Sequence, residues 1–236
     1  VLSGMAWAQS PLVISTHPIY LIAKKITQGV ETPELLLGNQ SGHDVQLTPA
    51  HRKAIQEAGL VIWLGQAHEA PLEKVLGESN KAIAILDSGI IQALPLRSTR
   101  GVAIKNTIDP HVWLDPVLAQ KEVTNIQKAL SKRYPKYQAT FEKNAQAYIK
   151  KLQALDQQYR EAAQNATNKT FVVQHDAFVY LAKRYGLEQV AVTGLSPDEE
   201  PTPSRLAELK KYIQKEQIHV IYFEENASAK VAKTLA

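Results

Sequence analysis

From Tyr134 to Asn165 the chain reads "YPKYQATFEKNAQAYIKKLQALDQQYREAAQN", with no glycine and no proline after Pro135. Proline suits the first turn of a helix, and nothing later in the stretch would break one. The stretch therefore predicts a single helix opened by Pro135 and running to about Asn165. About thirty residues at ~1.5 Å each extend ~45 Å, longer than most globular helices. A helix of that length can bridge two lobes and limit how far they move.

On either side of it, short apolar runs alternate with helical patterns. Before it come the strand candidates "LVIST" (12–16), "ELLLG" (34–38), "LVIWLG" (60–65) and "AIAIL" (82–86). Helices are expected over "IYLIAKKIT", from Thr48-Pro49 to about Glu57, and from Pro71 to Leu76. A further helix is expected from Val117 to about Arg133. After the long helix, "TFVVQH" (170–175) resumes the alternation with a helix to Tyr185. The strand "QVAVTG", a helix from Ser204 and the strand "IHVIYFEE" (218–225) follow. Strands alternating with helices imply parallel sheets covered on both faces, hence an α/β fold of two βα lobes. The expected division is an N-terminal βα lobe over 10–133, the linking helix over 134–165 and a C-terminal βα lobe over 166–236.

Residues 1–9, "VLSGMAWAQ", are read separately. They are small and apolar, and Ala6-Trp7-Ala8 fits the cleavage pattern that ends a secretory signal. A signal-peptide remnant and export are expected. No other segment approaches the ~20 apolar residues that span a bilayer. The net charge of +4 is mild and its lysines and arginines are scattered, which argues against nucleic acid as a partner. There is no cysteine in these 236 residues, so disulfides and thiolate metal sites are excluded within them.

Ligands of open parallel sheets bind outside the carboxyl ends of the strands. Three of the seven histidines occupy such places. His43 lies in the loop "GNQSGHDV" after the second strand, and His175 ends the strand "TFVVQ". His111 sits in "DPHVWLDP", where two Asp-Pro pairs predict a stiff, extended piece. Three neutral imidazoles suit Zn²⁺. His17, in "STHPIY", also ends a strand and is a rival ligand. His68 reads as a solvated residue at a helix start, and His51 and His219 as surface or edge residues. Trp63 and Trp113 read as core aromatics. No nucleophile elbow, dinucleotide loop or P-loop is present. Asp176 and Glu224 could serve as bases of a zinc hydrolase, although capping and backbone bonding are the simpler roles.

The segments "GHDVQLTPAHRKAIQEAGLVIWLG", "DPHVWLDP" and "HDAFVYLAKRYGL", in this order, resemble the ZnuA/TroA-type solute-binding proteins of zinc ABC importers. The resemblance covers nearly the whole chain after the first residues. It implies two βα lobes joined by one long rigid helix, with the metal site in the interlobe cleft. It places the family's histidine ligands on His43, His111 and His175. Manganese-binding relatives commonly carry Glu at the third position, so His175 resembles the zinc branch. Two departures stand out. The His-rich loop of many zinc members is replaced by "LPLRSTRGVAIKNTI", which has no histidine. The family's carboxylate fourth ligand has no matching position, which implies an incomplete C-terminal lobe.

The function expected from this resemblance is high-affinity capture of Zn²⁺ in the periplasm and its delivery to the membrane permease of an ABC importer. The chain would be a monomeric carrier, not an enzyme, exported through a cleaved signal peptide. The alternatives are a zinc-dependent hydrolase and a manganese-binding relative or adhesin-like surface protein.

Overall fold

The computed structural model describes residues 11–38, 40, 45–77, 79–97, 103–194, 200–224, 231 and 235. The chain divides into two compact units, one of residues 1–93 with 116–155, the other of 94–115 with 156–236. Residues 94–115 thus group with the second unit, whereas the sequence pattern had assigned them to the first lobe.

In the first unit β1 (Leu12–Ile14), β2 (Glu34–Leu35), β3 (Leu60–Trp63) and β4 (Ala82–Ala84) alternate with α1 (His17–Ile26), α2 (Pro49–Glu57) and α3 (Gln66–Leu76). Among the described residues the sheet order is β2-β1-β3-β4, and every pairing is parallel. Side chains along a strand alternate between faces. Val13, Val61 and Trp63 accordingly pack with Ile55 of α2 and with Leu72 and Leu76 of α3. Leu12, Ile14, Leu60 and Ile62 point to the opposite face and are also buried. A strand buried on both faces is apolar at every position, which is why "LVI" and "LVIW" carry no alternation. The start of α2 is fixed as expected. Thr48 accepts from the His51 backbone N–H (3.3 Å), and the His51 ring accepts from that of Thr48 (3.2 Å).

Two local expectations change. Helix α3 begins at Gln66, five residues before Pro71, and accommodates that proline with a kink at Glu69 (φ −127°, ψ 49°). Gly65 precedes it at φ +137°, where a Cβ would meet Leu86 Cβ at 3.3 Å. The earlier start buries His68 instead of leaving it solvated. Glu69 is buried too, and its carboxylate accepts from Ser15 Oγ and from the backbone N–H groups of Leu64 (2.7 Å) and Gly65 (3.2 Å). It thereby ties the ends of β1 and β3 together. Burial pushes its carboxyl up to about 7 against those donors.

Helix α4 (Pro116–Arg133) packs against α1. Its buried stripe of Leu118, Ala119, Val123, Ile126, Ala129 and Leu130 includes Glu122, which is fully buried. Neither Glu122 carboxylate oxygen has a hydrogen-bond partner among the described residues. Helix α5 (Gln138–Asn165), preceded by a 3-10 turn at Pro135–Tyr137, is the long helix foreseen in the sequence. Its residues 138–155 belong to the first unit and 156–165 to the second.

The second unit holds β7 (Thr170–Val173), α6 (Val179–Tyr185), β8 (Glu188–Ala191), α7 (Pro203–Lys215) and β9 (Ile221–Tyr222). Its strands pair in parallel in the order β8-β7-β9 among the described residues. Val172, Val192, Leu209 and Ile213 form the core beside that sheet. Residues 94–115 bring an antiparallel pair, β5 (Pro95–Arg97) and β6 (Ala103–Ile108), within the segment expected from the sequence to be a loop without histidine.

Glu122 yields a prediction about stability. Burial alone raises its carboxyl from 4.5 to about 8, so the folded state binds a proton that the unfolded state releases above its ordinary pKa. Its contribution is fully present below pH 4.5 and is lost as pH rises toward 8. E122Q should match the parent near pH 4.5 and exceed its stability by roughly 2–5 kcal/mol at pH 8.5. Urea unfolding of both proteins at the two pH values measures this.

Candidate metal centre

The octet Asp109–Pro116 is not extended. His111 adopts φ −77°, ψ 41°, and Val112–Leu114 form one 3-10 turn. The cause lies in Asp109, whose Oδ1 accepts from the His111 backbone N–H at 2.9 Å and turns the chain back. Proline biases only the residue before it, so Pro110 and Pro116 leave the intervening residues free to turn. The Val112 N–H donates to the Pro110 carbonyl (2.8 Å), and the Asp115 N–H to that of Val112 (3.2 Å).

The same Asp109 oxygen lies 2.8 Å from Nδ1 of the His111 ring. A carboxylate oxygen accepts, so Nδ1 carries a proton, and in the neutral ring the lone pair is then on Nε2. Both side chains are almost wholly buried, 3% exposed for His111 and 2% for Asp109. His175 follows β7 directly, at the carboxyl end of the strand, and its Nδ1 is bonded to Glu224. That contact holds the Glu224 carboxyl below its usual range, against the opposing effect of partial burial. The two rings lie edge to face with centroids 5.3 Å apart. In each, the nitrogen that a carboxylate holds is Nδ1.

Asp176 flanks this pair. Burial raises its carboxyl, as does the nearby Asp109, while His111, Gln189 and His175 draw it down. Its side chain accepts from the Gln189 amide, and its backbone N–H donates to Gly194 at 2.8 Å. It does not cap α6, whose N-cap is Phe178. Trp113, expected in the core, is half-buried and stands 5.2 Å from the His111 ring.

Of the three histidines singled out in the sequence, the structure brings His111 and His175 together. His43 lies outside the described residues. Among the described residues no group of three or more His, Asp or Glu side chains is arranged to hold a metal ion. The rival His17 opens α1, is exposed, and stacks on Tyr20 with centroids 6.2 Å apart. Sequence reasoning missed Asp109 as the partner of His111, although an aspartate two residues before a histidine is a recognisable turn signal.

Residues 12–236 match the family model described as ZnuA, zinc-uptake complex component A, periplasmic. The chain belongs to the ZnuA family. It is 40% identical over 235 residues to the high-affinity zinc uptake system protein ZnuA of Bacillus subtilis, covering 95% of this chain and 74% of that protein. It is 41% identical over 235 residues to the zinc-binding lipoprotein AdcA of Streptococcus pneumoniae, covering 95% of this chain but 47% of that protein. The crystal structure of the Zn(II)-bound ZnuA-like domain of the S. pneumoniae AdcA superposes with a TM-score of 0.81 at 40% identity, over 97% of this chain and 83% of that one. The α/β architecture of parallel sheets with one long helix is therefore the family fold.

The Asp109 contact can be tested directly. In D109A the Nδ1-protonated form of His111 should give way to a mixture of tautomers, read from long-range ¹H–¹⁵N correlations of the imidazole. An unchanged spectrum would mean that Asp109 does not set the tautomer.

Proposed function

We propose that this chain captures Zn²⁺ with high affinity outside the cytoplasm and delivers it to the membrane permease of an ABC-type importer. The observation that carries this reading is the pairing of His111 with His175 in a chain of the ZnuA family. Two imidazoles on one tetrahedral zinc, with bonds of ~2.0–2.1 Å, place their ring centres about 5 Å apart. The observed 5.3 Å is close to that spacing. Carboxylates on both Nδ1 atoms leave both Nε2 atoms for the ion, the arrangement that orients metal-binding histidines generally. His43 supplies the third nitrogen in this proposal, since a pair of imidazoles leaves zinc two donors short.

The ion is cargo and the chain is a carrier. The carboxylates around the pair support this: Asp109 is engaged with His111, Glu224 with His175 and Asp176 with Gln189. The chain acts as a monomer in the periplasm, which it reaches through a cleaved signal peptide. The "AWA" pattern at residues 6–8 and the periplasmic description of the family support that location. Among the described residues no helix is long and apolar enough to cross a membrane.

Metal analysis of the purified protein should return one zinc per chain, removable by chelators and rebound without turnover of ester or phosphoester substrates. H43A, H111A and H175A should each weaken zinc binding by more than the ~10–100-fold typical of lost supporting groups. Wild-type affinity in any one of them removes that histidine from the set. Zinc-dependent hydrolysis would replace the carrier reading with an enzymatic one.

A further inference from the structure

Helix α6 starts four residues after His175, and two of its side chains reach the segment that carries His111. Tyr180 and Arg184 are four positions apart, so they lie on one face of the helix, ~6 Å apart along its axis. The Tyr180 hydroxyl donates to the Asp109 carbonyl at 2.6 Å and accepts from the Leu94 N–H at 2.8 Å. The Asp109 N–H in turn donates to the Leu94 carbonyl at 2.8 Å. One phenol therefore locks the place where the β5–β6 pair ends and the turn holding His111 begins. At the other end of that turn, Arg184 Nε reaches both Asp115 carboxylate oxygens at 2.6 Å. The Asp115 side chain is 2% exposed and that of Arg184 25%.

These contacts link residues 69 to 86 positions apart in sequence, and all of them converge on a single helix of seven residues. The helix is closed off by Gly186 at φ +66°. Its amino end follows the turn after His175, where the Ala177 N–H donates to the His175 carbonyl at 2.9 Å. Its side chains hold both ends of the His111 turn. We infer that α6 is a positioning clamp for the cargo site, with Tyr180 and Arg184 gripping the two ends of the His111 turn and so setting His111 against His175. The inference rests on the reading of both histidines as zinc ligands. Neither Tyr180 nor Arg184 touches the ion; each acts through the backbone or carboxylate that it holds. A binding site tolerates displacements of only about 0.5 Å before its geometry is lost. Loosening either end should therefore weaken binding without removing a donor.

The test uses the full 236-residue chain carrying Y180F, R184Q or R184K. Each of Y180F and R184Q should lower zinc affinity on the order of tenfold, within the range for groups that support ligands. With Co²⁺ as the probe, the visible ligand-field bands should change in position and intensity. A merely structural role would lower the melting temperature and leave those bands as they are. R184K, which keeps the charge, should recover part of the affinity. H111A and H175A run alongside. If they leave Co²⁺ binding intact, the ligand reading fails and the clamp with it. If they abolish it while Y180F and R184Q keep parental affinity and bands, the clamp alone is overturned. Native-state hydrogen exchange on the unmutated chain covers the case in which the variants do not fold. The amides of His111, Val112, Leu114 and Asp115 should open together with those of α6 as urea rises. Opening of that turn while α6 stays protected would also overturn the clamp.

Discussion

Parallel strand pairing governs this molecule. Two parallel neighbours cannot be joined by a tight turn; the chain must cross back over the sheet, usually through a helix, before the next strand begins. All strand pairs of both larger sheets are parallel. Every strand in them therefore runs the same way within its sheet, and in each sheet separately the carboxyl ends share one edge. Polar side chains that would be costly inside the sheet collect there, including Ser15 and Thr16 after β1 and Gln174 and His175 after β7. The place of His175 at the end of β7 is a product of that connectivity.

The carboxylates then decide how those ends are used. Glu69 holds three donors from the ends of β1 and β3, and Asp109 holds two from a single histidine. A buried acceptor with donors in place fixes backbone position; one without them is a liability that burial keeps protonated. Glu122 is of the second kind, set in an apolar stripe; burial and then Glu122 raise the hydroxyl of Tyr148 on α5. The first unit thus contains both kinds of buried acid, one on α3 and the other on α4.

Most of the framework was legible because it rests on local pattern. The apolar runs, the Thr48-Pro49 start and the unbroken stretch to Asn165 each reported their element within a few residues. His111 and His175 stood out as candidates by position, since one is bracketed by Asp-Pro pairs and the other ends a strand, and their rings do lie side by side. What could not be read depended on distant partners. The β5–β6 pair has a bulged register and begins with a proline, so neither strand shows clean alternation. The 3-10 turn at Val112–Leu114 depends on a side-chain bond from Asp109, which competes with the extended preference set by proline. His68 became buried because α3 begins a turn earlier than its proline suggests. Nothing near Tyr180 or Arg184 in sequence points to Asp109 or Asp115, some seventy residues earlier.

The division of the chain has a consequence for its biogenesis. Neither unit is a contiguous stretch: residues 94–115 leave the first unit, and 116–155 return to it. A chain emerging from its amino end can complete the first unit only once Leu155 is available. Residues 94–115 must then wait for α6, about seventy residues later, before Tyr180 and Arg184 can fasten them. Loop-closure entropy over such distances grows slowly but has to be met before the contact is gained. The two units are therefore woven through one another along the sequence. No single proteolytic cut could release either one whole.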